Sequence, residues 1–421
     1  MGISSDFTDT IMNLPTWDDH NHLDTSEHLC AQSFWDVGHY FWFCRELEGL
    51  GYPLKPFELP EEARAEAFIT CFNKARNTSW NQMVRRSMKE LYGIDLVDVK
   101  SLFALDEAIK ASAANPNWQD EVCERAGVVK ITLMNNYKHN GLEAITHRHT
   151  YYRIFNFGNA DEFQAIADSK DQQQAAEQLI ETKIKVLRNF KDTGLRVFRT
   201  GFPFDTNGGQ MSDAPALAKT GNSMRDIQHH VGHAIMRELN AMGAHLQIFS
   251  GTGKIPAPNL NGCYQTYPMN HQDNIVKLTA IFDQYRDCTF EIMNAAELNS
   301  LDIVQAARSL PNVVPGGLWW FAFRRSVYLA NMQYRFEGLP ACRSTLLASD
   351  ARCIEWLYIK TRFVKRILAQ FLTKQIEDGW ADEEVALYTA RCWLHDSSQD
   401  FYVNRGAANQ ADSALQASTG N

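Results

Sequence analysis

The residues best suited to metal chemistry lie near the start of the chain, in the segment Asp18-Asp-His-Asn-His-Leu23. This segment follows a short apolar run and precedes a region of helical pattern. In an extended strand, residues i and i+2 share a face, so the rings of His20 and His22 could bind one metal ion. His147 and His149 repeat the pattern, and a chance pair of surface histidines is the alternative interpretation.

A second candidate is Asp350, which ends the apolar run Leu346-Leu-Ala-Ser-Asp350. If this run is a barrel strand, the carboxylate lies at the C-terminal mouth of the barrel, where barrel enzymes have their catalytic groups. Asp350 could instead cap the following helix, because aspartate is a favoured N-cap residue. Combined with His20 and His22, however, it completes a set of two nitrogens and one oxygen that could bind one divalent cation and leave positions open for substrate.

Two other motifs carry less weight. His229 and His233 are four residues apart in a helical segment, a spacing able to bind zinc, but the glutamate of a protease motif is missing. This pair favours a partly buried helix face. The segment Gly251-Thr-Gly-Lys254 lacks the spacing of a phosphate-binding loop and predicts a turn after a strand.

The elements that would position these groups are repeated strand–helix units. Short apolar or β-branched segments alternate with helical segments such as 171–189 and 223–242. A (β/α)8 TIM barrel, an α/β fold of roughly 250 residues before insertions, accounts for this alternation and for the chain length. One predicted strand ends at His20, and the others cover 128–134, 151–155, 195–199, 245–250, 288–293, 312–314 and 345–349.

Regions outside this alternation define the expected domain boundaries. Residues 24–118 have a helical pattern almost throughout and predict a helical insertion after strand 1. Residues 1–23 and 119–406 would form the barrel, with a helical block at 351–382 after the last strand. The small polar residues of 407–421 favour a disordered tail.

Composition limits the range of partners. The 421 residues carry a net charge of −9 and are 45% hydrophobic, which indicates a folded globular protein and argues against nucleic-acid or anionic-membrane binding. The N-terminus lacks the pattern of a secretion signal, and the longest nearly uncharged apolar stretch, 311–323, is too short to cross a bilayer. Nine cysteines without a Cys-x-x-Cys motif favour a reducing compartment. We therefore expect a cytoplasmic protein, assembled as a homo-oligomer.

Several separated segments, in order, resemble motifs of the uronate isomerases, a family of (β/α)8 barrels in the amidohydrolase superfamily. His20 and His22 are similar to its first-strand His-x-His pair, and Asp350 to its last-strand aspartate. The likeness extends from about residue 18 to about residue 402, as in a divergent member. The other segments are Gly38-His-Tyr-Phe-Trp42, Asn77-Thr-Ser-Trp80 with Tyr92-Gly-Ile94, Gly317-Leu-Trp-Trp-Phe321 and Ser349-Asp-Ala-Arg352.

The resemblance implies an aldose–ketose isomerase that converts glucuronate to fructuronate or galacturonate to tagaturonate. It implies that His20, His22 and Asp350 bind one divalent ion, for which we expect zinc. Asp350 would also lie near the proton-transfer path, because isomerisation through an enediol needs a base beside the sugar. The resemblance further implies that His39, Tyr40 and Arg352 line the substrate and take part in catalysis.

Two more residues are candidates for contact with an acidic sugar. Trp320, at a strand end, could pack against a sugar face. Arg199 could bind the substrate carboxylate if Arg352, whose planar guanidinium suits a carboxylate, does not.

The sequence also departs from the family pattern. Leu133-Met-Asn-Asn-Tyr137 lacks the acids and proline of the family's Thr-Thr-Asp-Asp-Pro element, and Phe249 stands at the apparent position of a fifth-strand histidine. An arginine expected near 398–401 is missing. An alternative is therefore a metal-dependent hydrolase or decarboxylase acting on another acidic, sugar-like substrate, in which the ion lowers the pKa of a bound water to about 7. A non-catalytic barrel is a third hypothesis.

Overall fold

The computed structural model describes residues 5–23, 29–134, 149–192, 194–202, 215–260, 264–268, 274–297, 299–319 and 322–404. The predicted tail at 407–421, the segment 135–137 and Trp320 lie outside these ranges. In the described part of the chain, no helix combines the length and the apolar character needed to cross a membrane.

Parallel strands form the centre of the fold. Seven strands pair in the order β1-β2-β3-β4-β5-β8-β9, and a separate antiparallel hairpin, β6–β7, follows β5. The strands are β1 (Thr16–Asp18), β2 (Val128–Met134), β3 (His149–Ile154), β4 (Val197–Thr200), β5 (His245–Ser250), β6 (Thr252–Pro256), β7 (Tyr264–Pro268), β8 (Thr289–Asn294) and β9 (Val313–Leu318).

Residues 345–350 lie between the two edges of this sheet and close it into a barrel. The amide of Thr345 donates to Pro315 O of β9 at 3.0 Å, and the amide of Asp350 donates to His20 O at 2.9 Å. The predicted strand 345–349 is therefore present in the barrel, although it is not a regular strand. The α/β barrel expected from the sequence is confirmed.

The irregular closure has a physical cause in the buried guanidinium of Arg335. This side chain donates to Ser344 Oγ at 2.9 Å, to Gly316 O at 2.6 Å and to the carbonyl oxygen of Thr345. Pro315 also lacks an amide proton. Side-chain hydrogen bonds thus replace part of the backbone ladder between β9 and the closing segment.

Helices surround the barrel, and local signals set their ends. The side chain of Ser223 accepts from the amide of Asp226 and begins the helix before β5, while Gly243, with φ 60°, ends it. The helices are α1 (Ser5–Asn13), α2 (Phe34–Gly38), α3 (Phe41–Glu48), α4 (Glu61–Lys74), α5 (Ser79–Tyr92), α6 (Val99–Ala113), α7 (Trp118–Ala126), α8 (Ala160–Ala167), α9 (Gln172–Asp192), α10 (Met224–Ala241), α11 (Asn274–Gln284), α12 (Asn299–Ser309), α13 (Arg325–Gly338), α14 (Ile354–Glu377), α15 (Glu383–Arg391) and α16 (Ser397–Gln399), with 3₁₀ turns at Pro56–Glu58 and Ala341–Arg343 and π-helical turns at Cys392–Asp396 and Asp400–Asn404.

The described residues between β1 and β2 form helices α2 to α7 and no strand. A buried carboxylate on α14 joins these helices to the barrel. Glu355 accepts hydrogen bonds from Trp118 Nε1 at 2.9 Å, Tyr92 OH at 3.1 Å and the amide of Ala31 at 2.8 Å. Because all three donors come from this helical region, one side chain holds it in place beside the barrel mouth.

Two further predictions concern the turn at Gly251 and the histidine pair on α10. Gly251, with φ 84°, makes the predicted turn after β5, although the chain then forms the β6–β7 hairpin that the sequence did not predict. His229 and His233 are buried on α10, and His233 Nδ1 lies 2.7 Å from Tyr285 OH. The interpretation of this pair as a buried helix face is confirmed.

Candidate active site

Three predicted metal ligands meet where β1 and the closing segment end. His22 Nε2 lies 2.9 Å and His20 Nε2 lies 4.0 Å from Asp350 Oδ1. One ligand atom from each residue lies within 4.8 Å of the other two. His20 and Asp350 are buried, whereas His22 is partly exposed. The residues that are far apart in sequence therefore form one compact donor set.

A hydrogen bond to Gln247 orients the ring of His20. Its Nδ1 lies 3.1 Å from Gln247 Oε1, while Gln247 Nε2 donates to Asp19 O and to Tyr402 OH, each at 2.8 Å. Because the amide NH2 group is engaged elsewhere, the carbonyl oxygen faces His20 and accepts a hydrogen bond from its Nδ1–H. The lone pair of the neutral ring is then on Nε2, the atom that faces Asp350 and His22.

This donor set fits a divalent cation. Among the described residues, the buried Nε2 of His20 has no hydrogen-bond partner, which is costly for a polar atom unless something binds it. Burial lowers the pKa of His20, so its ring is neutral as a ligand must be. Two imidazoles with one carboxylate suit zinc or a similar ion and leave coordination positions free.

Asp350 has a strained backbone. Its φ of 52° lies in the left-handed region, and no other non-glycine residue in the described ranges has a positive φ. Such strain costs about 1 kcal/mol or more and is typical of functional sites. Burial opposes ionisation of its carboxyl group, but the hydrogen bond and charge of His22 hold the pKa below its ordinary value. Cys353, not Asp350, is the N-cap of α14, so the helix-cap alternative is wrong.

Asp18 anchors the two chain segments that carry His20, His22 and Asp350. Its carboxylate accepts from the amide and from the hydroxyl of Ser349, both at 2.7 Å, and from Asn21 Nδ2 at 2.8 Å. Burial raises the pKa of Asp18 to about 6, although these hydrogen bonds oppose the shift. The anchor connects β1 directly to the residue before Asp350.

Tyr40 reaches the site from the loop between α2 and α3. Its hydroxyl lies 3.1 Å from Asp350 Oδ2 and 2.8 Å from Lys360 Nζ. Sequence reasoning missed Lys360, which is fully buried on α14. The signal was a lysine four residues from both Trp356 and Val364, on the apolar stripe of a helix.

A cavity of about 1170 Å³ includes His22 and Asp350 in its wall. Arg352 lines it, is exposed, and has no hydrogen-bond or ion-pair partner among the described residues. Arg199 also lines the cavity, with its guanidinium 4.6 Å from the ring centre of Phe249. Both predicted arginines can therefore meet an anionic substrate.

The other predicted substrate residues differ in their surroundings. His39 lines the cavity, but its Nε2 lies 2.7 Å from Tyr52 OH, and burial lowers its pKa to about 4. Trp320 lies outside the described residues, whereas its neighbour Trp319 lines the cavity. Lys254 of the unpredicted hairpin contributes a further cation to the wall.

Phe249 fills the position where the family pattern has a fifth-strand histidine. Its ring centre lies 4.7 Å from that of His20 and 4.5 Å from that of Trp319. A phenyl ring has no nitrogen, oxygen or sulfur atom to offer a metal ion, so Phe249 packs against His20 without adding a candidate ligand.

Comparison of the fold with solved structures gives several matches over nearly the whole chain. The uronate isomerase of Thermotoga maritima superimposes with a TM-score of 0.76 at 13% identity, covering 94% of this chain and 96% of that one. The chain has the fold of the uronate isomerases. The Bacillus halodurans uronate isomerase (TM-score 0.73, 15% identity, 94% of each chain) and the Caulobacter crescentus glucuronate isomerase (TM-score 0.76, 13% identity, 94% and 93%) also match.

The sequence itself is far from these proteins. No family model matches it, and no curated protein matches it. The resemblance found in separated motifs is therefore confirmed at the level of the fold. A shared barrel does not determine the reaction, which depends on the site built on it.

Proposed function

We propose that this protein is a divergent uronate isomerase that interconverts an aldose and a ketose form of a hexuronate, with glucuronate and galacturonate as the first substrates to test. The observation that carries the proposal is the meeting of His20, His22 and Asp350 at the mouth of a uronate isomerase fold. We further propose zinc as the ion, a cytoplasmic location and a homo-oligomeric assembly.

The chain's own residues supply the proton transfer. Asp350, held ionised beside His22, takes the proton from the carbon next to the sugar carbonyl and returns it to the former carbonyl carbon, while the hydroxyl proton of the first carbon passes to the former carbonyl oxygen. A divalent ion bound by His20, His22 and Asp350 would act as a Lewis acid that stabilises the developing oxyanion. The first carbon thus loses its proton and the former carbonyl carbon gains one, while the substrate stays bound.

Arginines bind the other end of the substrate. Arg352 is two residues from Asp350 and exposed in the cavity, so its guanidinium can bind the uronate carboxylate with two parallel hydrogen bonds. Arg199, which lines the same cavity with its guanidinium 4.6 Å from the ring centre of Phe249, is the second candidate for that contact. His39 is neutral at pH 7 and can hydrogen-bond sugar hydroxyls.

The decisive experiment incubates the zinc-loaded protein with glucuronate or galacturonate in D2O and follows ketose formation and deuterium incorporation by NMR. His22→Ala should abolish both, whereas His230→Ala, a half-buried histidine of α10 that bonds Pro215 O at 2.8 Å, should retain them. A parallel panel of lactones and amides tests the hydrolase alternative. Hydrolysis without isomerisation would replace the present proposal, and inertness toward every substrate would favour a non-catalytic barrel.

A further inference from the structure

Lys360 is a buried cation that the proposed reaction does not use directly. It is fully buried on α14, and its Nζ lies 4.5 Å from the ring centre of Tyr40 and 4.7 Å from that of Phe323. The rings of Trp80 and Trp356 follow at 5.5 and 5.7 Å. Aromatic faces partly offset the cost of burying an ammonium group. Burial still lowers the pKa of Lys360 to about 8, so the charged form predominates at pH 7.

Lys360 acts only as a hydrogen-bond donor. An ammonium group donates and cannot accept. Lys360 Nζ therefore donates to Tyr40 OH, at 2.8 Å, and to the backbone carbonyl of Ser349. Since the oxygen of Tyr40 accepts the hydrogen bond from Lys360, the phenol's own proton must point elsewhere. Its available acceptors are Asp350 Oδ2 and Asp350 O, both at 3.1 Å.

We propose that Lys360 is a positioning residue that acts through Tyr40 to fix the Asp350 carboxylate, so that Oδ2 is held by the phenol and Oδ1 faces the two histidines. The inference rests on the proposed function in taking Asp350 as metal ligand and base. It assigns Tyr40 a different part from that expected, because a phenol that donates to Asp350 is not a proton donor to substrate. The burial of Tyr40, which is only 3% exposed, agrees with this assignment.

The main competing explanation is that Lys360 only stabilises the fold by satisfying the Ser349 carbonyl. The chain contains a matched control for this explanation. Lys365, on the same helix, is also buried and donates to Leu14 O at 2.7 Å and to Ala126 O at 2.8 Å, away from the ligands. A purely structural lysine at position 360 should behave as Lys365 does.

The experiment measures zinc affinity rather than turnover. Metal-free wild-type protein is titrated with Zn²⁺ against a chromophoric chelator. The same titration is done with the metal-free variants Lys360→Met, Tyr40→Phe, Lys365→Met and the double variant of Lys360 and Tyr40. We expect each single change at Lys360 or Tyr40 to raise the zinc Kd by about 10-fold or more, as removal of an outer-shell partner does. The double variant should be no weaker than the worse single variant, because both changes break one chain of contacts. Lys365→Met should lower the melting temperature and leave the zinc Kd within about twofold of wild type.

Two results would overturn the proposal. One is a zinc Kd equal to that of wild type in folded Lys360→Met. The other is a zinc Kd in the double variant that is raised by the product of the two single fold-changes. If Lys360→Met does not fold, Tyr40→Phe decides alone, since a wild-type Kd in that variant contradicts the inference. Weaker zinc binding in a protein that turns over no uronate would uphold the positioning role and reject the proposed function. Failure of the wild-type protein to bind zinc would reject the ligand assignment and this inference together.

Discussion

Within the described residues of the barrel, two pairs of a histidine and a buried carboxylate have the same spacing and different surroundings. His22 Nε2 lies 2.9 Å from Asp350 Oδ1 at the mouth, and His245 Nε2 lies 2.9 Å from Glu291 Oε2 deeper in the barrel. Glu291 also accepts from Tyr402 OH at 2.5 Å and from Thr345 Oγ1 at 3.0 Å, so both its oxygens are engaged. Among the described residues, neither His245 nor Glu291 lines the cavity.

The contrast shows that a histidine–carboxylate pair does not by itself mark a reactive site. The pair at the mouth opens onto a cavity and lies beside His20 Nε2, which has no hydrogen-bond partner among the described residues. His245 begins β5 and Thr345 begins the closing segment, so the deeper pair lies toward the N-terminal end of the barrel, where residues chiefly contribute stability. We therefore expect the first pair to control the reaction and the second to control folding.

The largest effect should come from Asp350→Asn. The amide keeps the shape of the side chain but loses the base and the charge, so kcat should fall by about 10³-fold or more, within the range for a general base. Steady-state kinetics measures the loss, and a melting temperature near that of wild type shows that the fold is kept. A variant with a tenth of wild-type activity would remove Asp350 from proton transfer.

Glu291→Leu should have the opposite profile. Removing the carboxylate leaves His245 and Tyr402 without their buried acceptor, and the free energy of unfolding should fall by about 3 kcal/mol. Urea unfolding measures the change, while kinetics on the folded fraction should give a kcat within a few-fold of wild type. Unchanged stability with lost turnover would show that the two pairs are functionally alike.

Arg352→Lys sharpens the comparison at the mouth. Lysine keeps the charge but loses the planar guanidinium that can make two parallel hydrogen bonds. The fall in kcat/KM should therefore correspond to about 1–3 kcal/mol of lost transition-state stabilisation, without a change in the free energy of unfolding. Arg199→Lys, measured beside it, tests whether the second arginine holds the carboxylate instead. If Arg352→Lys unfolds more readily and its folded fraction works at the wild-type rate, Arg352 has a structural role.

The smallest effect concerns the pH dependence of stability and the buried Lys365. Burial lowers its pKa from 10.5 to about 7, so between these values the unfolded chain binds more protons than the folded one. Stability from this residue should then rise with pH above 7, by at most about 1.4 kcal/mol per unit. The stability advantage of wild type over Lys365→Met, measured by urea unfolding at pH 7, 8 and 9, should grow accordingly. An advantage that is independent of pH would contradict the shifted pKa.

Much of the barrel could be predicted from local sequence. Strands β2 and β5 occupy the predicted residues 128–134 and 245–250, because apolar runs flanked by turn residues leave few alternatives. The β6–β7 hairpin escaped prediction, since its strands are half exposed and carry no strong apolar pattern. The irregular backbone of the closing segment was not predicted either, because Arg335, whose side chain binds that backbone, lies on helix α13.

The sequence by itself determined the order of strand–helix units and the candidate ligands at their ends, since these depend on short-range periodicity and on His20, His22 and Asp350 lying next to apolar runs. Only the tertiary structure decided which buried groups contact the candidate site and which stabilise the deeper part of the barrel. Lys360, Gln247 and Glu291 are separated by tens of residues or more from the groups they contact, and their roles depend on which donor faces which acceptor. Hydrogen-bond direction and access to the cavity are properties of the packed barrel, and no local pattern encodes them.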